Sequence, residues 1–80
     1  MLKIDLFTKD PCPLCDEVKA LLETLADTYP HQLREIDITQ DKALNARYRF
    51  QIPVLQIEKS QIKAPISLLD LTKFLREAPL

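Results

Sequence analysis

The hydrophobic period changes twice within the first thirty-eight residues. Leu2, Ile4 and Leu6 alternate with Lys3, Asp5 and Phe7, the two-residue period of a strand about six residues long. From Pro13 to about Thr28 the period lengthens, and Leu14, Val18, Leu21, Leu22 and Leu25 share one face of a helix. "YPHQ" interrupts it, leaving His31 in a solvated loop, and "LREIDI" (33–38) resumes as a strand. Two strands joined through a helix should run parallel with a right-handed crossover. This βαβ opening restricts the chain to layered folds that pack helices on a sheet.

The remainder adds three elements. Thr39 is placed to cap a short helix over 40–48 that buries Leu44 and Tyr48. "PVLQI" (53–57) reads as a strand, "EKS" as a turn and "QIKA" (61–64) as a short returning strand. Ser67 and Asp70 stand in the spacing of a capping box, opening a last helix to about Glu77. Its inward face should carry Leu68, Leu71 and Leu75, with Pro79 beyond its end. The order βαβαββα predicts an α/β or α+β layer fold, α/β being preferred, with a mixed sheet in one domain over residues 1–80. The chain contains no glycine, so its tight turns should fall to Pro, Asn, Asp and Ser.

Eleven basic residues against twelve acidic ones leave a net charge of −1, which provides no electrostatic footprint for nucleic acid. The apolar runs are too short to span a bilayer. "MLKIDLF" lacks the apolar stretch and small-residue cleavage site of a secretory leader, so a cytoplasmic, monomeric protein is expected.

The chemistry concentrates in "TKDPCPLCDEV" (8–18), which holds both cysteines. With Cys12 at the N-cap, Pro13 becomes the first helical residue, where its missing N–H costs nothing. Cys15 then lies one turn on, within the Cα separation that a disulfide accepts. At the N-cap the Cys12 sulfur faces the free N–H groups of Leu14 and Cys15 and the positive end of the helix dipole. Such an environment lowers a thiol pKa from about 8.5 towards about 3.5–7.5. Lys9 adds to this, while Asp10, Asp16 and Glu17 oppose it, so the expected depression is modest. Cys12 is the expected nucleophile and Cys15 the resolving thiol.

Other uses of the pair fare less well. A bridge between them closes too short a loop to staple a fold effectively. Zinc needs four ligands, and one C-x-x-C with His31 cannot supply them in one chain. A cysteine between prolines at a helix start is a poor core position. C-x-x-C within a βαβ unit is instead a redox signature. Two rivals stay open. One is a metal or iron–sulfur carrier sharing the cysteines between two chains. The other is a binding module whose redox activity is vestigial.

With the first strand, "TKDPCPLC" and "IPVL" in place, nearly the whole chain resembles the glutaredoxin family of the thioredoxin superfamily, and most of all its small bacterial glutaredoxin-like members. The resemblance implies a four-stranded mixed sheet flanked by helices. It implies a thiol–disulfide oxidoreductase or electron carrier in cell redox homeostasis, with Cys12 and Cys15 catalytic. "CPLC" resembles the family's Cys-Pro-aromatic-Cys, with Pro13 and Leu14 against the substrate and Leu14 standing for the aromatic residue. Lys9 matches a lysine that helps hold the glutathione carboxylate. "QIPV" (51–54) resembles the Thr-Val-Pro segment, with Gln51 in place of threonine. By that likeness Pro53 is cis and the Ile52 backbone pairs with the substrate's cysteine. No bound cofactor is implied, and the partner is a disulfide-containing protein or glutathione, the latter as reductant or substrate. The family's Gly-Gly-Asp grip on glutathione is replaced by "KAPIS" (63–67). Pro65 removes a backbone donor there, and Ser67 is left to offer a hydroxyl and an N–H.

Overall fold

The structure, a computed structural model, describes residues 1–78; Pro79, expected past the last helix, lies outside the described residues. In chain order the elements are β1 (Leu2–Thr8), α1 (Pro13–Leu25), β2 (His31–Asp37), a 3-10 turn (Ile38–Gln40), α2 (Lys42–Tyr48), β3 (Val54–Ile57), β4 (Ser60–Lys63) and α3 (Leu68–Glu77). The sheet order is β2-β1-β3-β4; β1 and β2 are parallel, and β3 is antiparallel to both β1 and β4. This is the expected βαβαββα order of a thioredoxin-like fold.

The pleat sends β1 side chains alternately to two different layers. Leu2, Ile4 and Leu6 meet Leu55 and Ile57 from β3, and Val18 and Leu22 from α1 join Leu71 and Leu75 from α3 above them. Phe7 points the other way, into a smaller cluster with Val54, Ile38 and Tyr48, and its ring stacks on Tyr48 at 4.6 Å between centroids. Because α2 has only seven residues, it covers only part of that second face. The rest carries polar side chains, with Arg34 gripping Asp5 through two hydrogen bonds of 3.0 and 3.1 Å.

Several boundaries differ from the sequence reading. α1 ends at Leu25, and the Tyr29 N–H reaches back to the Leu25 carbonyl at 2.8 Å. β2 starts at His31 rather than Leu33, because the parallel ladder sets His31 opposite Leu2. His31 is thus a strand residue, its Nδ1 2.9 Å from the Tyr29 carbonyl. Asp41, not Thr39, caps α2, accepting from the N–H groups of Ala43 and Leu44 at 2.9 and 3.1 Å. Asp37 takes Thr39 into the preceding 3-10 turn. β3 begins after Pro53, and β4 starts one residue early, at Ser60. On α3 the capping box forms as expected, but Leu68 is exposed and Phe74 packs on the core instead.

The glycine-free hairpin between β3 and β4 has only Glu58 and Lys59 between Ile57 and Ser60. Glu58 adopts φ 55°, a left-handed conformation that costs an L-residue roughly 1–2 kcal/mol. The Gln56 amide holds the turn by donating to the Glu58 carbonyl at 2.9 Å. Glu58→Gly should raise stability by up to about 1 kcal/mol, since glycine's larger unfolded-state entropy offsets part of the relief. Thermal unfolding of the two proteins reads this directly, and a lower midpoint for the glycine variant would contradict the strain.

Candidate redox site

β1 delivers the chain to the C-terminal edge of the sheet, and the loop after it turns into α1 through Cys12. Cys12 is the N-cap, with extended backbone (φ −151°, ψ 92°), and Pro13 follows at the start of the helix. The Cys12 carbonyl accepts the Asp16 N–H at 3.0 Å, the first rung of the helix. Its Sγ accepts the Cys15 N–H at 3.1 Å, as the cap geometry requires. Cys12 and Cys15 are joined by a disulfide, with their Cα atoms 5.2 Å apart. The two sulfurs are unequal in access: Cys12 is half-buried, whereas Cys15 is 1% exposed.

Two depressions flank this end of the molecule. On the β3–β4 side, a cleft of about 110 Å³ is formed by Leu14, Glu17 and Val18 of α1 with Pro53, Ala64, Pro65 and Ile66. The cleft brings Leu14 and Pro53 together as candidate substrate contacts. Leu14, expected on the buried face of α1, is 55% exposed here, because Cys15, the next residue, takes the inward position of that turn. The Ile52–Pro53 bond is cis, as the resemblance implies, and so are Asp10–Pro11 and Ala64–Pro65. Gln51 and Ile52 are half-buried, and both donate their N–H groups to the Tyr48 carbonyl, at 2.8 and 3.1 Å. The N–H of the Ile52 backbone, expected to pair with a substrate backbone, is thus already engaged.

On the β2 side, a second depression of about 230 Å³ holds Lys9 and Asp10 with Thr8, Asp16, Lys19, Glu35 and Asp37. Lys9 is exposed and lines this groove, apart from the Leu14–Pro53 cleft. The Lys19 ammonium lies 3.1 Å from Glu35 and 3.4 Å from Asp16. The Glu35 hydrogen bond, more than the Asp16 contact, raises its pKa above the ordinary lysine value. Asp37 is lowered, first by the Thr39 hydroxyl and then by the Thr39 N–H. Asp16, expected to oppose a Cys12 thiolate, is thus partly neutralised by Lys19.

Ser67 offers less than its position promised. Its Oγ accepts the Asp70 N–H at 3.0 Å, and its own N–H points at the Asp70 carboxylate at 3.5 Å. The same capping box that starts α3 engages the N–H and one lone pair of the oxygen, and leaves the hydroxyl hydrogen as the donor. Ala64, Pro65 and Ile66 were not among the expected site residues. Their only sequence signal was negative, in that they fill the place of the missing glycine-rich grip. Among the described residues, no group of three or more His, Cys, Asp or Glu side chains is placed to hold a metal ion, and no helix is long and apolar enough to cross a membrane.

Residues 3–76 match a family described as Glutaredoxin-like domain (DUF836). Among solved structures, a structural-genomics target protein from X. campestris is 28% identical, with a TM-score of 0.78, covering 95% of this chain and 99% of that one. Protein Ne2328 from Nitrosomonas europaea is 23% identical, with a TM-score of 0.79 and coverage of 92% and 91%. Oxidised thioredoxin O2 from Arabidopsis thaliana is 19% identical, with a TM-score of 0.72, covering 94% of this chain and 72% of that one, a likeness of fold alone.

Proposed function

Because the chain belongs to the glutaredoxin-like domain family of the thioredoxin superfamily, we propose that it is a thiol–disulfide oxidoreductase working through Cys12 and Cys15. The observation that carries this reading is the cysteine pair itself, an N-cap sulfur bonded to one a single turn inside the same helix. In the reduced protein the Cys12 sulfur keeps the Cys15 N–H and the positive helix end beside it, which favours thiolate over thiol. The thiolate attacks one sulfur of a substrate disulfide; a mixed disulfide forms, and the other substrate sulfur leaves as a thiolate and takes a proton. Cys15 then gives up its proton and attacks the Cys12 sulfur, releasing the second substrate thiol. Two electrons pass to the substrate, and the pair is left as the disulfide. An external thiol, either glutathione or a reductase, has to restore the dithiol.

Mild oxidation of the reduced protein should close this bridge within one chain, since the two Cα atoms need not move far. Equilibration with defined ratios of reduced and oxidised glutathione, followed by acid quench and mass spectrometry, should give a single two-electron transition in a monomer. A product that runs mainly as a disulfide-linked dimer would refute the intramolecular switch.

A further inference from the structure

We infer that the substrate is a protein disulfide whose attacked cysteine is flanked by an apolar side chain and a basic one, and that glutathione is a poor partner. This rests on the oxidoreductase reading and specifies what that site takes. The cleft beside the dithiol is built from Leu14, Val18, Pro53, Ala64, Pro65 and Ile66, and its one charged group is Glu17. At about 110 Å³ it is the size of a single aliphatic side chain. Pro65 has no N–H to give, the Ser67 N–H is turned to the Asp70 carboxylate, and Ser67 does not line the cleft. A peptide carboxylate entering here would therefore meet apolar surface and a like charge. Each half of glutathione disulfide brings two such carboxylates.

Leu14, which lines the cleft, is 55% exposed, and Leu68 and Leu69, two and three residues after the cleft-lining Ile66, are 47% and 79% exposed. Exposed apolar side chains at and just beyond the cleft suit a polypeptide surface better than a small anion. Glu17 makes no ion pair among the described residues. It faces the same cleft, so a Lys or Arg beside the substrate cysteine would complement it. Lys9, the lysine expected to hold a glutathione carboxylate, lies instead in the other depression among Asp10, Asp16, Glu35 and Asp37.

Stopped-flow oxidation of the fully reduced protein tests this. Four disulfides are compared: symmetric capped peptides with Leu-Cys-Lys or Asp-Cys-Glu at the centre, glutathione disulfide and hydroxyethyl disulfide. Each rate is divided by that of free dithiothreitol with the same disulfide, which removes intrinsic reactivity. The Leu-Cys-Lys peptide should exceed both glutathione disulfide and Asp-Cys-Glu at least tenfold. Glu17→Lys should cut the ratio of the basic to the acidic peptide several-fold, and comparing ratios cancels any general effect on the Cys12 thiolate. Equal rates for glutathione disulfide and the Leu-Cys-Lys peptide, or a ratio unmoved by Glu17→Lys, would overturn the substrate assignment while leaving the exchange chemistry standing. Failure of all four disulfides, hydroxyethyl disulfide included, would overturn the oxidoreductase reading itself.

Discussion

Cys12→Ser should abolish disulfide exchange down to the buffer background, whereas Cys15→Ser should leave the attack intact and arrest it at a mixed disulfide on Cys12. That asymmetry is the largest functional effect expected of any substitution in this chain. It follows from where α1 begins. The Cys12 sulfur is half-buried and receives the Cys15 N–H at 3.1 Å, while the helix dipole contributes about 0.3–1 kcal/mol in favour of negative charge at that position. A serine hydroxyl there stays protonated and cannot replace the thiolate. Cys15 is 1% exposed, so it meets the mixed disulfide already formed on its neighbour and meets solvent disulfides poorly. Limiting iodoacetamide added to the reduced protein near neutral pH should label Cys12 well before Cys15, and peptide mapping reads the ratio. Equal labelling, or an adduct trapped on Cys15, would reverse the two roles and with them the mechanism.

The surrounding charges tune the rate rather than decide it. Lys19 already contacts Asp16 at 3.4 Å, so Glu17 should account for more of the opposition to the thiolate than Asp16. Joint neutralisation of Asp16 and Glu17 should accelerate Cys12 labelling, by a factor that shrinks as salt is raised, because both carboxylates are exposed and screened.

The sequence carried the path to the site more clearly than its walls. The βαβ opening was legible because period two and period 3.6 are each dictated by a backbone geometry, and both held over enough residues to be distinguished. Cys12 at the N-cap followed from the same reasoning, since Pro13 tolerates so few helical positions. The capping box of α3 was legible too, but not its consequence, that the Ser67 N–H turns to Asp70 and leaves only the hydroxyl hydrogen to donate. Leu14 and Leu68 were misplaced in the first turns of their helices. In α1 the inward position of that turn belongs to Cys15, 1% exposed, and in α3 full burial begins at Leu71. Periodicity identifies a face and is silent about which residue of the first turn meets the partner layer. His31 failed differently: a parallel ladder in register with Leu2 extended β2 through a residue whose own propensity favours neither state. Glu58 at positive φ shows tertiary pairing overriding local preference outright.

Leu71→Ala should cost about 2–5 kcal/mol, the usual penalty for emptying a fully buried leucine site. Against a total near 4–12 kcal/mol for a domain of this length, at about 0.05–0.15 kcal/mol per residue, that removes a large share of the stability. Leu71 is 0% exposed, packed in the main cluster with Leu6, Val18, Leu22 and Leu55. It therefore joins α3 both to the sheet and to the helix that carries the cysteines. The capping box cannot compensate, since it orders the first turn of α3 without replacing the missing contact between the layers. Leu69 supplies the control on the same helix: at 79% exposure, its change to alanine should alter stability by no more than about 0.5 kcal/mol. Each kilocalorie moves the midpoint of a domain this small by roughly 4–8 °C, so thermal melts of the two oxidised variants should separate by at least about 6 °C. Reduction should lower both midpoints together, because the bridge closes only a short loop within α1. If Leu71→Ala and Leu69→Ala melted alike, the inward face of α3 would have to be reassigned, and the exposed leucine rim beside the cleft with it.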